Sequence, residues 1–185
     1  MADKKPLPTS PSLVGDKVFL KPTTPEDEAN TYHWTLLSEP QSQTCRPWVF
    51  STPSEIAERM KKAEKDMSRQ RFMVLRKDDR TPVAKVTYFD LNTLNRSAEL
   101  GLVVDPDERQ KGYGADALKT LVRYLFPYRG LNKVYAQTAQ FNTQAIALME
   151  SLGFKKDATL RDHYFYRGEF HHGLIYSLLQ FEMDW

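Results

Sequence analysis

The stretch Ala98-Glu99-Leu100-Gly101-Leu102-Val103-Val104-Asp105-Pro106-Asp107-Glu108-Arg109-Gln110-Lys111-Gly112-Tyr113-Gly114-Ala115 decides the fold. It leads from a β-rich run, through a basic turn with two glycines, into a segment whose Leu118, Leu121, Val122 and Leu125 share one helical face. Gly112 and Gly114 permit positive φ and let a ligand approach main-chain N–H groups, while the helix that follows aims the positive end of its dipole at the same spot. Arg109 and Lys111 add full charges, whose hydrogen bonds to phosphate are stronger than neutral ones. With Gln110, Tyr113 and Ala115 they make 109–115 the expected cradle for a diphosphate. Gly112-x-Gly114-x-x-Ala117 also satisfies a dinucleotide fingerprint. That reading fails, because a seven-residue turn separates the glycines from the strand and the next strand, Lys133 to Thr138, carries no carboxylate for a ribose.

Working outward, Val18 to Leu20 is a short strand candidate, and Thr24-Pro25-Glu26-Asp27 places an N-cap, a first-turn proline and an acidic third residue ahead of a helix to about Leu37. Thr52-Pro53-Ser54-Glu55 repeats the pattern, and Ile56, Met60, Ala63 and Met67 recur at helical spacing after it. From Arg71 the period changes. Phe72 to Leu75, Val83 to Phe89 and Ala98 to Val104 read as an antiparallel meander broken at 78–80 and 92–95. Pro127 is expected to end the helix after the glycine turn. Val134 to Thr138 follows as a strand, then a helix capped by Asn142 and ended by Gly153, then two strands, 156–166 and 174–181, joined through Arg167-Gly168-Glu169. Strand, two helices, three strands, helix, strand, helix, hairpin is the order of a mixed α/β (α+β) sheet with helical crossovers.

Of the 185 residues, 26 are Lys or Arg against 24 Asp or Glu, a balance too even for an electrostatic nucleic-acid footprint, though an anionic cofactor needs only a local patch. Composition is that of an ordinary globular chain and the length suits one domain, expected over 13–185 after a polar, proline-bearing flexible arm at 1–12. No run approaches the ~18 apolar residues of a membrane span and the start is not signal-like, so no membrane partner and a cytoplasmic location are expected. Cys45 is the single cysteine, which excludes an internal disulfide and a cysteine zinc cluster; its Gln-Thr-Cys-Arg-Pro setting offers no adjacent base to activate it as a nucleophile. No metal is expected.

Arg109-x-x-Gly112-x-Gly114 after a strand, followed by Asn142-x-x-Ala145 leading into Glu150-Ser151-Leu152-Gly153-Phe154, resembles the signature blocks of the GNAT superfamily of N-acetyltransferases. The closing stretch, with Leu160-Arg161, Tyr166-Arg167-Gly168-Glu169-Phe170 and 175–179, is similar to the RimJ/RimL branch. The resemblance runs from about Pro82 onward. It implies a single domain with a twisted, mostly antiparallel sheet of about seven strands flanked by four helices, and acetyl-CoA as co-substrate. It also implies that the pantetheine arm lies between the strand ending at Val104 and the strand Val134 to Thr138, which splay apart, with Asn142 contributing to cofactor binding. A backbone N–H among Leu102, Val103 and Val104 would then polarise the thioester carbonyl, a contribution of about 3 kcal/mol.

On that resemblance an amine attacks the thioester directly, and Glu99 is the expected base that removes its proton, with Tyr88, His163 and His172 in reserve. Trp48, Tyr88 and Phe165 are the candidate walls of the amine's pocket. His171 and His172, adjacent on a strand, should face opposite ways and form no joint site. His33 is given no role. Two positions depart from the family. Met149 stands where many relatives have a tyrosine that protonates the leaving thiolate, and Ala145 stands where the branch often has serine. Either the thiolate leaves unassisted, or Tyr113, Tyr135 or another residue supplies the proton, or the protein binds CoA without efficient transfer. His172 also replaces the usual aspartate of the branch. The expected partner is a small-molecule amine or a peptide N-terminus, and the expected assembly a monomer or homodimer.

Overall fold

The computed structural model describes residues 13–38, 50–63 and 66–185, so the expected arm at 1–12, Cys45 and Trp48 lie outside the described residues. Strands β1 (Val18–Pro22), β2 (Gln70–Arg76), β3 (Pro82–Asn92), β4 (Ser97–Val104), β5 (Lys133–Ala139), β6 (Lys155–Tyr166) and β7 (Glu169–Leu179) form a single sheet in the order β1-β2-β3-β4-β5-β7-β6. Every neighbouring pair is antiparallel except β4 and β5, which are parallel. Helices α1 (Pro25–Leu36) and α2 (Pro53–Ala63) precede β2, α3 (Tyr113–Arg129) makes the crossover from β4 to β5, and α4 (Thr143–Ser151) links β5 to β6. This is the expected α+β domain.

Alternation along the strands divides the apolar residues between two faces. Ala98 and Leu100 on β4, with Leu102 and Val104 packed alongside, meet Leu118, Leu121, Val122 and Leu125 of α3 and Met149 of α4 in the main core. On the opposite face Phe19, Met73 and Leu75 pack against Trp34 of α1, with Val103 beside them. Both early helices start as the sequence suggested. Thr24 accepts from the Asp27 N–H while the Asp27 carboxylate accepts from the Thr24 N–H, and Thr52 and Glu55 make the same reciprocal pair.

Boundaries differ from expectation at several points. Pro127 lies inside α3, which runs on to Arg129 and is closed by Gly130 at φ +65°. A proline in the last turn forfeits a single N–H bond, and the fully buried Leu125 and Phe126 hold that turn on the sheet. The stripe of α2 does not reach Met67, which is 80% exposed, because the Asp66 carboxylate accepts from the Ser68 N–H and hydroxyl and closes a turn instead. The last strand ends at Leu179, leaving Phe181 exposed.

Candidate active site

The parallel pair β4 and β5 is joined only at Ser97 with Lys133, Ala98 with Val134 and Glu99 with Tyr135. Beyond Glu99 and Tyr135 the strands separate, although each continues to pair on its other side, β4 with β3 and β5 with β7. The main-chain groups at the resulting gap follow from alternation. The Asp105 N–H donates to the Val83 carbonyl, so odd-numbered residues of β4 bond to β3, while the Lys133 N–H donates to the Arg96 carbonyl, so even-numbered ones face β5. Leu102 and Val104 therefore turn their N–H and C=O groups toward the gap. Val103, expected to share that role, directs its main chain to Lys85 of β3. On the other bank the Gln140 N–H bonds the His172 carbonyl, which leaves Gln137 and Ala139 facing the gap.

The glycine turn sits at the open end. Gly112 caps α3 at φ +84°, preceded by Gln110 at φ +62°, and the first helical bond runs from the Asp116 N–H to the Gly112 carbonyl. Tyr113, Gly114 and Ala115 thus present N–H groups with no acceptor within the helix, and no side chain caps them. A Cβ at Gly114 would lie 3.1 Å from Leu102 Cδ2 and Val104 Cγ2, so α3 begins directly against the end of β4, at the mouth of the gap. Arg109 donates to the Ser38 hydroxyl at 3.2 Å, Lys111 pairs with Glu108 at 3.0 Å, and Lys17 donates to the Lys111 carbonyl at 3.0 Å. The turn is anchored from below by the buried Asp116, whose carboxylate accepts the N–H groups of Asp16, Lys17 and Val18 at 3.0, 2.7 and 2.9 Å. Gly15 leaves room for it, since a Cβ there would sit 2.6 Å from Asp116 Oδ2. Sequence reading missed this anchor; its only signal was a lone acid in the first turn of a helix. Open helix-start amides leading into an unpaired strand gap fit a diphosphate joined to an extended, amide-bearing arm.

That combination defines a class, the acyltransferases that hold a nucleotide thioester between diverging strands. Residues 17–155 match the model of the acetyltransferase (GNAT) domain, and the chain belongs to that family: it is an acetyl-CoA-dependent N-acetyltransferase. It is 27% identical over 121 residues to a spermidine N(1)-acetyltransferase of Vibrio cholerae, spanning 65% of this chain and 69% of that one. It is 32% identical over 106 residues to the [ribosomal protein bS18]-alanine N-acetyltransferase of Salmonella typhimurium, spanning 57% and 68%. The fold superposes on the spermidine N-acetyltransferase of Vibrio cholerae in complex with CoA and spermine with a TM-score of 0.81, at 22% identity over 90% of this chain and 97% of that one.

The sequence-derived residues divide between the two faces. Glu99 is on the face of α1, at the last paired position of β4 and opposite Tyr135. Burial, and then the negative charges of Glu99 and Asp90, hold the Tyr135 phenol above its ordinary value. Tyr88 is on the other face, buried in the main core against Phe72, which separates it from Glu99. Phe165 is exposed on β6, its ring 5.2 Å from that of Phe170 across the hairpin. Asn142 is buried; its carbonyl oxygen caps α4 by accepting from the Ala145 N–H and its amide donates to the Thr138 hydroxyl. Met149 is buried in the core. The Tyr113 phenol lies beside Arg76. His171 meets Phe141 edge to face, while His172 accepts from the Asp162 N–H at 3.1 Å, so the two histidines share no site.

On Glu99's face sequence reading also missed Gln137 and Tyr164. Gln137 Nε2 lies 2.7 Å from both the Tyr164 hydroxyl and His163 Nε2. The available signals were a polar residue at an inward-alternating position of a β run and a glycine, Gly173, inside the last strand.

Proposed function

We propose that the chain acetylates a primary amine of a small molecule or of a protein N-terminus, by direct attack of the amine on the thioester of acetyl-CoA. The parting of β4 from β5 immediately beyond Glu99 and Tyr135 carries this reading, because it sets free main-chain donors beside a carboxylate on the face open to the amine. Tyr113, Gly114 and Ala115 receive the diphosphate, with Arg109 and Lys111 adding charge. Leu102 and Val104 hold the arm and polarise the carbonyl. Acetyl-CoA supplies an activated acyl carbon, and this chain's task is to position it and to move protons. Glu99 takes the proton that an alkyl ammonium must lose before its nitrogen can attack.

Similarity to spermidine and ribosomal-alanine acetyltransferases supports an acceptor drawn from polyamines or peptide N-termini, within or beside the RimJ/RimL branch. Such an enzyme works in the cytoplasm, as a monomer or homodimer. A second reading, a CoA-binding module of weak turnover, is favoured by the buried thioether of Met149 and by Ala145, neither of which has a proton to donate. The deciding experiment follows release of free CoA from acetyl-CoA with a panel of polyamines, amino acids, aminosugars and N-terminal peptides. Turnover with one class establishes the transferase and its acceptor together; tight CoA binding without release across the panel replaces it with the binding module.

A further inference from the structure

Between Leu160, which pairs with Gly173, and Tyr164, which pairs with His171, strand β6 places residues 161–163 opposite the single residue 172 of β7. The bulge is built rather than loose. Asp162 takes φ +46°, and its N–H is bonded by His172 Nδ1. It turns His163 and Tyr164 back across the sheet, their rings edge to face at 4.7 Å, over the bare backbone of Gly173. A Cβ on Gly173 would stand 3.1 Å from His163 Cδ2 and 3.2 Å from Tyr164 Cε2. Through this window both side chains reach Gln137 on β5. Gln137 lies two residues beyond Tyr135, in the separated part of the gap and on Glu99's face.

The reaction leaves a thiolate that needs a proton, and several other groups are unsuited to give it. Met149 has no proton to give and is buried. Tyr113 turns its phenol toward Arg76, on the phosphate side of the turn. Tyr135 stands where the strands are still bonded, and burial with the charges of Glu99 and Asp90 makes its proton hard to lose. Tyr164 is placed differently. It is half-buried beside the separated part of the gap, and the Gln137 amide donates to its oxygen, which fixes the phenol there.

Resting on the transferase reading above, we propose that Tyr164 is the proton donor to the departing CoA sulfur, with Gln137 and the Gly173 window as its positioning elements. As the amine nitrogen bonds the acyl carbon, the carbon–sulfur bond breaks and sulfur keeps the electron pair. The Tyr164 O–H proton passes to sulfur, giving the thiol. The attacking ammonium sheds two protons on its way to an amide: one leaves with Glu99 to solvent, and the second returns through water to the phenol.

The test uses the full chain. Tyr164→Phe keeps the shape of the side chain and should lower kcat by about 10²-fold with the KM for acetyl-CoA unchanged. Gln137→Leu should lower kcat by about tenfold with the KM for acetyl-CoA unchanged, and Gln137→Leu combined with Tyr164→Phe should lose no more than Tyr164→Phe alone, since Gln137 acts through the phenol. Wild-type turnover with a Tyr164→Phe kcat within twofold of it overturns the proposal and leaves the transferase standing. If the wild type releases no CoA with any amine, the transferase reading falls and this proposal falls with it.

Discussion

At the scale of single residues the site makes demands that substitution can check. Glu99→Gln keeps the size of the side chain and removes the proton acceptor, so kcat/KM for the amine is expected to fall by about 10²-fold. CoA affinity measured by calorimetry should not change; a loss of CoA binding instead would make Glu99 part of the cofactor's fold rather than of the proton path. Gly112→Val acts on the opposite half of the reaction. At φ +84° a β-branched residue is strained, costing roughly 1–2 kcal/mol, and its side chain meets Lys17 Nζ, 3.0 Å from where a Cβ would lie. CoA should bind at least tenfold more weakly, with the amine's KM little altered. Asp116→Ala strands the buried Val18 N–H and the part-buried N–H groups of Asp16 and Lys17 at the entrance to β1, and a loss of about 2 kcal/mol in urea unfolding is expected, since a buried orphaned donor costs roughly 1 kcal/mol or more and a partly wet one less.

At the scale of elements, α1 is the piece whose attachment is electrostatic. Its cap residue Asp27 accepts from Lys21 and Thr24. Burial pushes its carboxyl upward, but the bonds from Lys21 and Thr24 outweigh that and hold it below its ordinary value. A depressed carboxyl stabilises the fold at pH above its unfolded value and loses that contribution as pH falls through its folded value. The stability gap between wild type and Asp27→Asn, about 1 kcal/mol at pH 7, should therefore close as pH falls below 4. The underside of α1 is pinned by Lys85 of β3, buried, 3.2 Å from Glu28 and 5.9 Å from the Trp34 ring centroid. Glu28→Ala leaves that ammonium buried and uncompensated and should cost several kcal/mol, whereas Glu28→Leu with Lys85→Met should cost far less.

Element identity was largely legible beforehand, because caps, glycines and the change of period are local signals: Thr24 with Asp27, Thr52 with Glu55, and Asn142 all cap where they were expected to. The glycine turn at the start of α3 was legible for the same reason. What escaped was non-local. Nothing near Tyr88 in sequence says which face of β3 it takes, and nothing near Tyr164 announces that a bulge will carry it to Gln137, 27 residues earlier in the chain. Pro127 misled because a proline's cost depends on how firmly the rest of the turn is packed.

At the scale of the whole molecule, the sheet consists of two leaves, β1 to β4 and β5-β7-β6, each continuous within itself. They meet along a line only three residue pairs long. The core on the side of α3 spans that line, so the leaves unfold together, yet their backbone bonding across it is the sparsest in the sheet. On the function proposed above, an extended amide-bearing arm laid between Val104 and Ala139 would complete the missing rungs. The nucleotide would then be a suture as well as a reactant, each discharge of product unpicking the stitch, so the empty enzyme should breathe along this one crease while its flanks stay still.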